Sequence, residues 1–370
     1  MKAVAAVLRE PRGALTLEDV ELEGPREGEV LVRIAGVGIC HTDLGACDGH
    51  VPLPLPVVLG HEGAGVVEAV GDGVRALQPG DHVVLSFDSC GACPTCRDGH
   101  PAYCREFAAL NSTGRRPDGS ATMRQGDAPV HGSFLGQSSF ATHALASARN
   151  AVRVDDDLPI ELLGPLGCSL QTGAGAVLRV LAPAPGSALA VFGCGPVGMA
   201  AVMAARAVGC RTIVAVDPSP VRRELAFELG ATVALDPDGA VRGIRGLVPG
   251  GVDCSVETVG TGDVVDAALR VLASPGRCAT LGFRGARNRI EIDQGHLLFG
   301  RTITGVIEGD VDPQTFIGDL LALHRAGLFA FERLITTYPF AEIDQAIEDA
   351  RRGATLKPVL IMPNGRSTSL

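Results

Sequence analysis

Four cysteines lie close together in the first third of the chain, and their spacing is that of a closed metal site. They are Cys90, Cys93, Cys96 and Cys104. Four thiolates complete a tetrahedron around zinc and leave no position for a substrate. The set therefore predicts a structural zinc in a lobe at about residues 88–105. Eleven cysteines is an odd number, and the N-terminus carries no signal-peptide pattern, so a disulfide framework is the weaker interpretation.

A second group of metal-binding side chains is spread along the chain as Cys40, the pair His61-Glu62, and Cys168. Thiolates with one histidine and an open fourth position are what a catalytic zinc requires. Each residue alone has an ordinary explanation, because His61 could be a core histidine and Cys168 a small buried side chain. The glycine-rich segments 36–43 and 59–65 around them favour the metal site.

A glycine-rich turn with the pattern GxGxxG is formed by Gly193, Gly195 and Gly198. It lies between an apolar strand-like segment and a helical one, which is the context of a dinucleotide-binding turn. Asp217 follows Gly198 by 19 residues, where a carboxylate binds ribose hydroxyls and repels a 2′-phosphate. The pattern predicts NAD in preference to NADP. Arg222 could flank the adenosine, although a solvated surface role suits it equally.

The elements that must position these residues differ between the two parts of the chain. Short strand-like segments separated by glycine and proline turns fill the first 150 residues, for example at 29–34, 65–70 and 81–85. From residue 187 onward, buried apolar strands alternate with amphipathic helices, which predicts a parallel α/β sheet. The expected strands are 188–192, 212–216, 252–256 and 278–281, and the expected helices are 197–208 and 220–229. A last strand at 358–362 is expected to rejoin the first domain.

The run Gly60-His61-Glu62-x2-Gly65-x5-Gly71-x2-Val74 resembles the zinc signature of the medium-chain alcohol dehydrogenases. The cysteine lobe and the GxGxxG unit follow in the order of that family, so the resemblance covers essentially the whole chain. It implies a GroES-like, β-rich catalytic domain, a Rossmann domain with a doubly wound parallel sheet, and an active-site cleft between them. We expect the catalytic domain at 1–165 plus 310–370 and the NAD-binding domain at 166–309. Homodimers or homotetramers are also implied.

The resemblance also implies roles for individual residues. Cys40, His61 and Cys168 resemble the catalytic zinc ligands, with Glu62 as an alternate or outer carboxylate. Asp43 resembles the acid that orients the ligand histidine, and Thr42 the hydroxyl that takes the substrate proton. Contacts to the cofactor are implied for His41, Thr172 and Lys357, with His41 and Lys357 on the pyrophosphate. The expected cofactors are NAD and zinc, with two zinc ions per chain.

Two further segments, 132–142 and 162–168, are similar to those of aryl-alcohol (benzyl-alcohol) dehydrogenases. They make Phe87, Phe134 and Leu135 candidates for an apolar substrate pocket, although core packing explains any one of them as well. Allylic (geraniol-type) alcohol dehydrogenases look nearly the same. The main alternative is a glutathione- or mycothiol-dependent formaldehyde dehydrogenase, which needs a basic pocket mouth. The segment 107–110 offers no basic residue, although Arg105 is near.

One position departs from the family pattern. Many members carry a histidine three residues after the relay hydroxyl, where this chain has Gly45. The substrate proton must then leave through water or through another group such as His50. Cys47 matches no family position and is interpreted as structural.

Composition excludes several other classes of function. The chain has 32 Lys and Arg against 42 Asp and Glu, a net charge of −10, which argues against sequence-independent nucleic-acid binding. No apolar run reaches the roughly 18–20 residues of a membrane span, so a cytoplasmic location is expected. The family resemblance implies a small alcohol or aldehyde as the substrate. A zinc-free quinone reductase or a catalytically silent NAD-binding protein would lack metal ligands that this chain has.

Overall fold

A computed structural model describes residues 1–285 and 288–363 of the chain. These residues form two compact units. The first comprises Met1–Cys168, Asp312–Gly318 and the residues from Glu332 onward, and the second comprises Ser169–Val311 and Asp319–Phe331. The main difference from the expected boundaries concerns Asp319–Phe331. This segment belongs to the second unit, whereas it was expected in the catalytic domain.

The N-terminal part of the first unit is rich in strands connected by short helices. Its strands are β1 Lys2–Leu8, β2 Leu15–Leu22, β3 Glu29–Gly38, β4 Val57–Val58, β5 Glu62–Val70, β6 His82–Leu85, β7 Met123–Gln125, β8 Ala128–Val130, β9 His143–Ser147 and β10 Ala151–Val154. Its helices are α1 His41–Cys47, α2 Pro94–Arg97 and α3 Phe107–Asn111.

The second unit alternates strands and helices. Its strands are β11 Ala188–Phe192, β12 Thr212–Val216, β13 Val233–Leu235, β14 Val252–Glu257, β15 Leu272–Thr280 and β16 Arg301–Gly305. Its helices are α4 Ser169–Gly175, α5 Pro196–Val208, α6 Pro220–Leu229, α7 Ala240–Leu247, α8 Gly262–Arg270 and α9 Gln294–Leu298. The chain continues through α10 Pro313–Arg325, β17 Ile335–Pro339, α11 Ile343–Arg352 and β18 Lys357–Ile361.

The sheets of the first unit are mainly antiparallel. One has the strand order β4-β1-β2-β7-β8, and the other has the order β10-β6-β5-β3-β18-β17, with β9 also paired to β3. β18 pairs antiparallel with β3 through Val359 and Gly38, which places the C-terminal strand in this unit. Alternating apolar residues of these strands pack into one buried core that includes Val30, Val32 and Ile34 of β3.

The sheet of the second unit is parallel throughout, in the order β13-β12-β11-β14-β15-β16. β11 lies inside the sheet, and each of its residues is buried, as expected for a strand covered on both faces. α5 begins with Pro196 in its first turn and ends at Gly209, whose φ of 85° closes the helix. The predicted α/β class, with a β-rich domain and a doubly wound parallel sheet, is confirmed. Among the described residues no helix is both long and apolar enough to cross a bilayer.

Candidate active site and metal centres

Cys40, His61, Glu62 and Cys168 come together inside the first unit, and one ligand atom from each lies within 4.8 Å of the others. His61, Glu62 and Cys168 are buried. Nδ1 of His61 lies 2.9 Å from a carboxylate oxygen of Asp43, while the buried Nε2 has no hydrogen-bond partner among the described residues. An imidazole nitrogen without a hydrogen-bond partner and two neighbouring thiols together form a set of ligands that zinc binds. The residues therefore fit the metal that their types predict.

The elements bring these ligands in from three places in the sequence. Cys40 follows β3 and caps the N-terminus of α1, whereas His61 and Glu62 lie at the start of β5. Cys168 follows a short 3₁₀ turn, Gly164–Gly167. Because β3 and β5 are neighbours in one sheet, the end of β3 lies beside the start of β5. Sheet pairing thus explains why ligands 21 residues apart meet.

Asp43 holds two of the ligand-bearing segments together. Its buried carboxylate accepts hydrogen bonds from the backbone N–H of Cys40 at 2.9 Å and of Gly60 at 3.1 Å, and it also pairs with His61. Gly60 has a φ of 88°, and a Cβ there would lie 2.4 Å from the backbone nitrogen of Phe140. Only glycine allows this approach, which delivers the histidine to its carboxylate.

Lys357 forms a buried ion pair with Glu62. Its Nζ donates to both carboxylate oxygens, at 2.9 and 3.0 Å, and to Ile39 O at 3.0 Å. Burial opposes the charge of Lys357, but Glu62 and Cys40 raise the pKa of Lys357 above its usual value, so the ammonium stays charged. Its head group is thus held inside the first unit, and its contact with the pyrophosphate stays a prediction.

The predicted pocket residues lie on two segments close to the metal ligands. Phe134 is buried with its ring edge-on to that of His61, at a centroid distance of 5.7 Å. Phe87 is buried against Phe107. Leu135 is also buried, in a left-handed conformation with φ of 48°. Thr42 places its hydroxyl 3.9 Å from Sγ of Cys40.

A short loop, residues 133–138, is held in a strained conformation beside these ligands. Ser133, Leu135 and Ser138 all have positive φ, between 48° and 65°. A non-glycine residue in this backbone conformation destabilises the fold by about 1–2 kcal/mol, so other interactions of the loop must offset this cost. Gln137, which the sequence did not single out, supplies part of it by donating to His61 O at 2.9 Å. Asn150 adds a bond to Gly136 O.

The ligand atoms of the four lobe cysteines lie within 4.8 Å of one another. Cys90 Sγ accepts from the N–H groups of Ala92 and Cys93, at 3.4 and 3.3 Å. A hydrogen bond from the Arg105 N–H lowers the pKa of the Cys93 thiol to about 6. Donors aimed at the sulfurs of Cys90 and Cys93 stabilise these two thiolates, and four sulfur atoms this close together suit a cation that binds all four. Cys47 lies in the apolar core of the first unit, where burial raises its pKa to about 12.

The three glycines of the dinucleotide turn serve different purposes. Gly193 has a φ of 91°. A Cβ at Gly198 would lie 1.8 Å from Gly193 O, so this glycine allows α5 to pack on the turn. A Cβ at Gly195 would meet nothing within 4 Å, which leaves open space over the N-terminus of α5. Open space at a helix N-terminus suits a phosphate.

Asp217 follows β12, and its carboxylate is fixed in place. It accepts from the backbone N–H of Cys194 and of Ser219, each at 2.8 Å. Arg222 lies in the first turn of α6 and is partly exposed, whereas its neighbour Arg223 pairs with Asp236. Two other residues are predicted to contact the cofactor. His41 is the exposed first residue of α1, and Thr172 lies on α4 and is partly exposed.

Comparison with known proteins agrees with this geometry. Residues 26–156 match the alcohol dehydrogenase GroES-like domain, and residues 196–324 match the zinc-binding dehydrogenase domain. The chain belongs to the zinc-dependent medium-chain alcohol dehydrogenase family. It is 48% identical to a geraniol dehydrogenase of Castellaniella defragrans, over 98% of each chain.

Two solved structures share this fold over the same extent. An alcohol dehydrogenase zinc-binding domain protein from Burkholderia ambifaria is 48% identical, with a TM-score of 0.97 over 98% of this chain and 100% of that one. A benzyl alcohol dehydrogenase from Acinetobacter calcoaceticus is 41% identical, with a TM-score of 0.94 over the same shares. The predicted family and its resemblance to aryl-alcohol (benzyl-alcohol) dehydrogenases are thus confirmed.

Proposed function

We propose that this alcohol dehydrogenase interconverts a primary aromatic or allylic alcohol and its aldehyde, with NAD as hydride acceptor. The observation that carries the proposal is the ligand set of Cys40, His61 and Cys168, the last two buried, with the Thr42 hydroxyl 3.9 Å from the Cys40 thiol. It combines a metal site with a hydroxyl that can receive a proton, which is what alcohol oxidation needs.

Zinc, when bound, supplies Lewis-acid polarisation of the alcohol oxygen. The chain's own residues orient the alcohol and take up its hydroxyl proton. Asp43 fixes the ring of His61 so that Nε2 faces the ligand group. Thr42 takes the hydroxyl proton, and Lys357 keeps the Glu62 carboxylate neutralised beside the thiols. These roles, like the zinc count of two per chain, are proposals.

NAD is proposed over NADP because of Asp217. Its two backbone hydrogen bonds hold a carboxylate beyond the glycine turn, where a 2′-phosphate would meet negative charge. The open space over Gly195 would admit the pyrophosphate at the start of α5. Contacts from His41, Thr172 and Arg222 remain predictions, as does assembly into a homodimer or homotetramer.

The substrate class is proposed from the apolar side chains and from the relatives. Phe134 packs edge-on to the ligand His61, and Phe87 and Leu135 are apolar. The relatives described above are named for geraniol and for benzyl alcohol, in which the carbinol carbon adjoins an unsaturated carbon. An apolar pocket binds such a flat group and offers no cation to an anionic thiol adduct.

A substrate and cofactor panel tests the proposal. Benzyl alcohol, geraniol, ethanol and glutathione- or mycothiol-bound formaldehyde would each be assayed with NAD and NADP by absorbance of the reduced cofactor. We expect the highest kcat/KM for benzyl alcohol or geraniol with NAD. A preference for a thiol adduct would replace the proposed substrate class, and a preference for NADP would contradict the role of Asp217.

Thr42→Ala tests the proton step. Positioned proton transfer contributes about 10²–10⁴-fold, so kcat should fall by that order while the dissociation constant for NAD stays nearly unchanged. Thr42→Ser retains a hydroxyl and should keep most of the turnover. Wild-type turnover in Thr42→Ala would remove this hydroxyl from the mechanism.

A further inference from the structure

The turn that ends α1 brings His50 back over the helix. Gly49 is left-handed, with φ of 80°. Its N–H donates to Ala46 O at 3.0 Å, and the N–H of His50 donates to Gly45 O at 2.9 Å. This pair of bonds defines a helix-ending turn in which the residue after the glycine returns to the last helical turn. Here the returning residue is a histidine, and the position it covers has no side chain.

The imidazole of His50 lies next to the position that a side chain at Gly45 would take. A Cβ built on Gly45 would lie 3.7 Å from Nδ1 of His50. Thr42 lies three residues earlier on α1, and side chains at this spacing are neighbours, with Cβ atoms about 5–6 Å apart. The hydroxyl beside the Cys40 thiol and the imidazole are therefore one helical turn apart, on the partly exposed side of α1.

His50 also faces solvent. It is exposed and lines an open cleft of about 520 Å³ in the first unit. The charged groups around this cleft are Arg12 from the turn after β1, Asp48 at the end of α1, and Glu348 and Arg351 from α11. Asp48 is held 2.8 Å from Arg351, and its pKa is lowered by that hydrogen bond and, to a smaller extent, by His50. The ring thus has charged neighbours of both signs and access to bulk water.

We propose that His50 is the residue that passes the substrate proton from Thr42 to solvent. This inference rests on the proposed alcohol oxidation, in which each turnover moves one hydride to the cofactor and releases one proton. The alcohol O–H bond breaks, Thr42 accepts that proton and gives up its own through a bridging water, and a ring nitrogen of His50 receives it. The imidazolium then returns its proton to bulk water, which restores the starting state. Imidazole suits this task because it exchanges protons near neutral pH.

The test compares His50→Ala with two double variants built on it. Gly45→His in the His50→Ala background restores an imidazole from the opposite side of the same space. Gly45→Ala in that background matches the change at position 45 without adding a base. His296→Gln, on α9 of the second unit, controls for the loss of a histidine elsewhere. For each protein, kcat would be measured from pH 6 to 10 with benzyl alcohol and its α-deuterated form, together with proton release by an indicator dye.

His50→Ala should lose at least about tenfold in kcat near neutral pH, because water is a weaker proton acceptor than imidazole. The loss should shrink toward pH 10, where hydroxide replaces the base. Gly45→His/His50→Ala and added free imidazole should each restore the rate, whereas Gly45→Ala/His50→Ala should not.

Two results would overturn the proposal: a wild-type pH profile in His50→Ala, or a loss that neither free imidazole nor Gly45→His repairs. The first leaves the alcohol dehydrogenase function intact, and the second assigns His50 a structural role. A wild-type protein that oxidises no alcohol would instead overturn the proposed function and this inference together.

Discussion

Lys357 forms a buried ion pair with a partner that the sequence did not predict. Its ammonium is nearly inaccessible to solvent and is neutralised by Glu62, one residue after the ligand His61. The charge was visible in the sequence, but its partner lies 295 residues away. The pairing of β18 with β3 brings the lysine to Ile39 and the carboxylate. Motif spacing carries no information about such a contact.

Removing this lysine should be costly, because it leaves the Glu62 carboxylate buried without its partner. We expect Lys357→Met to lower the free energy of unfolding by about 3–5 kcal/mol, measured by urea denaturation. The matched control is Arg352→Met, since Arg352 and Glu348 form an exposed pair at 3.4 Å. That variant should change stability by no more than about 1 kcal/mol. Equal effects of the two substitutions would contradict the buried ion pair.

At the scale of elements, the segment 133–138 depends on Gln137 for its shape. The buried amide donates to His61 O and Ser86 O, and its oxygen accepts from the N–H of Gly63 and from Ser139 Oγ. It therefore connects the strained loop to the ends of β5 and β6. The position of Phe134 against His61 follows from this connection.

Gln137→Leu has nearly the same volume but leaves buried donors and acceptors without partners. We expect stability to fall by about 2–3 kcal/mol, because each unsatisfied buried group costs about 1–3 kcal/mol. KM for benzyl alcohol should rise as Phe134 loses its fixed place. Gln345→Leu, on the exposed side of α11, should leave both quantities unchanged. A stable Gln137→Leu protein with unaltered KM would show that the loop holds its shape without the amide.

Elements differ in how far the sequence predicts them. β11, β12 and α6 lie at the predicted bounds, because a buried parallel strand is a continuous apolar run and the helices carry proline and glycine at their ends. α1 was not predicted, since its seven residues are too short to show a period. The loop at 133–138 was noticed only by resemblance, because three of its four positive φ values belong to Ser133, Leu135 and Ser138, residue types that do not signal such a conformation.

At the scale of the whole molecule, the chain holds two cysteine-containing ligand groups with different surroundings. Cys168 and His61 are buried in the first unit, and the Asp43 carboxylate links the segments of Cys40 and His61 through hydrogen bonds to the N–H groups of Cys40 and Gly60 and to the His61 ring. The lobe of Cys90, Cys93, Cys96 and Cys104 has only short helices, α2 and a turn at Pro101–Tyr103, to define it. We therefore expect its stability to depend on the ion that its four thiols bind.

This difference predicts opposite responses to the loss of each site. Cys104→Ser should lower the melting temperature by several degrees, because a structural zinc contributes folding free energy directly. Cys168→Ser should abolish turnover with a much smaller change in melting, since Asp43 still fixes the fold around it. Metal analysis should give two zinc ions per wild-type chain and one in each variant. Partial chelation should remove activity before it removes structure. A single zinc in the wild type, or a Cys104→Ser protein with unchanged melting, would contradict the structural zinc.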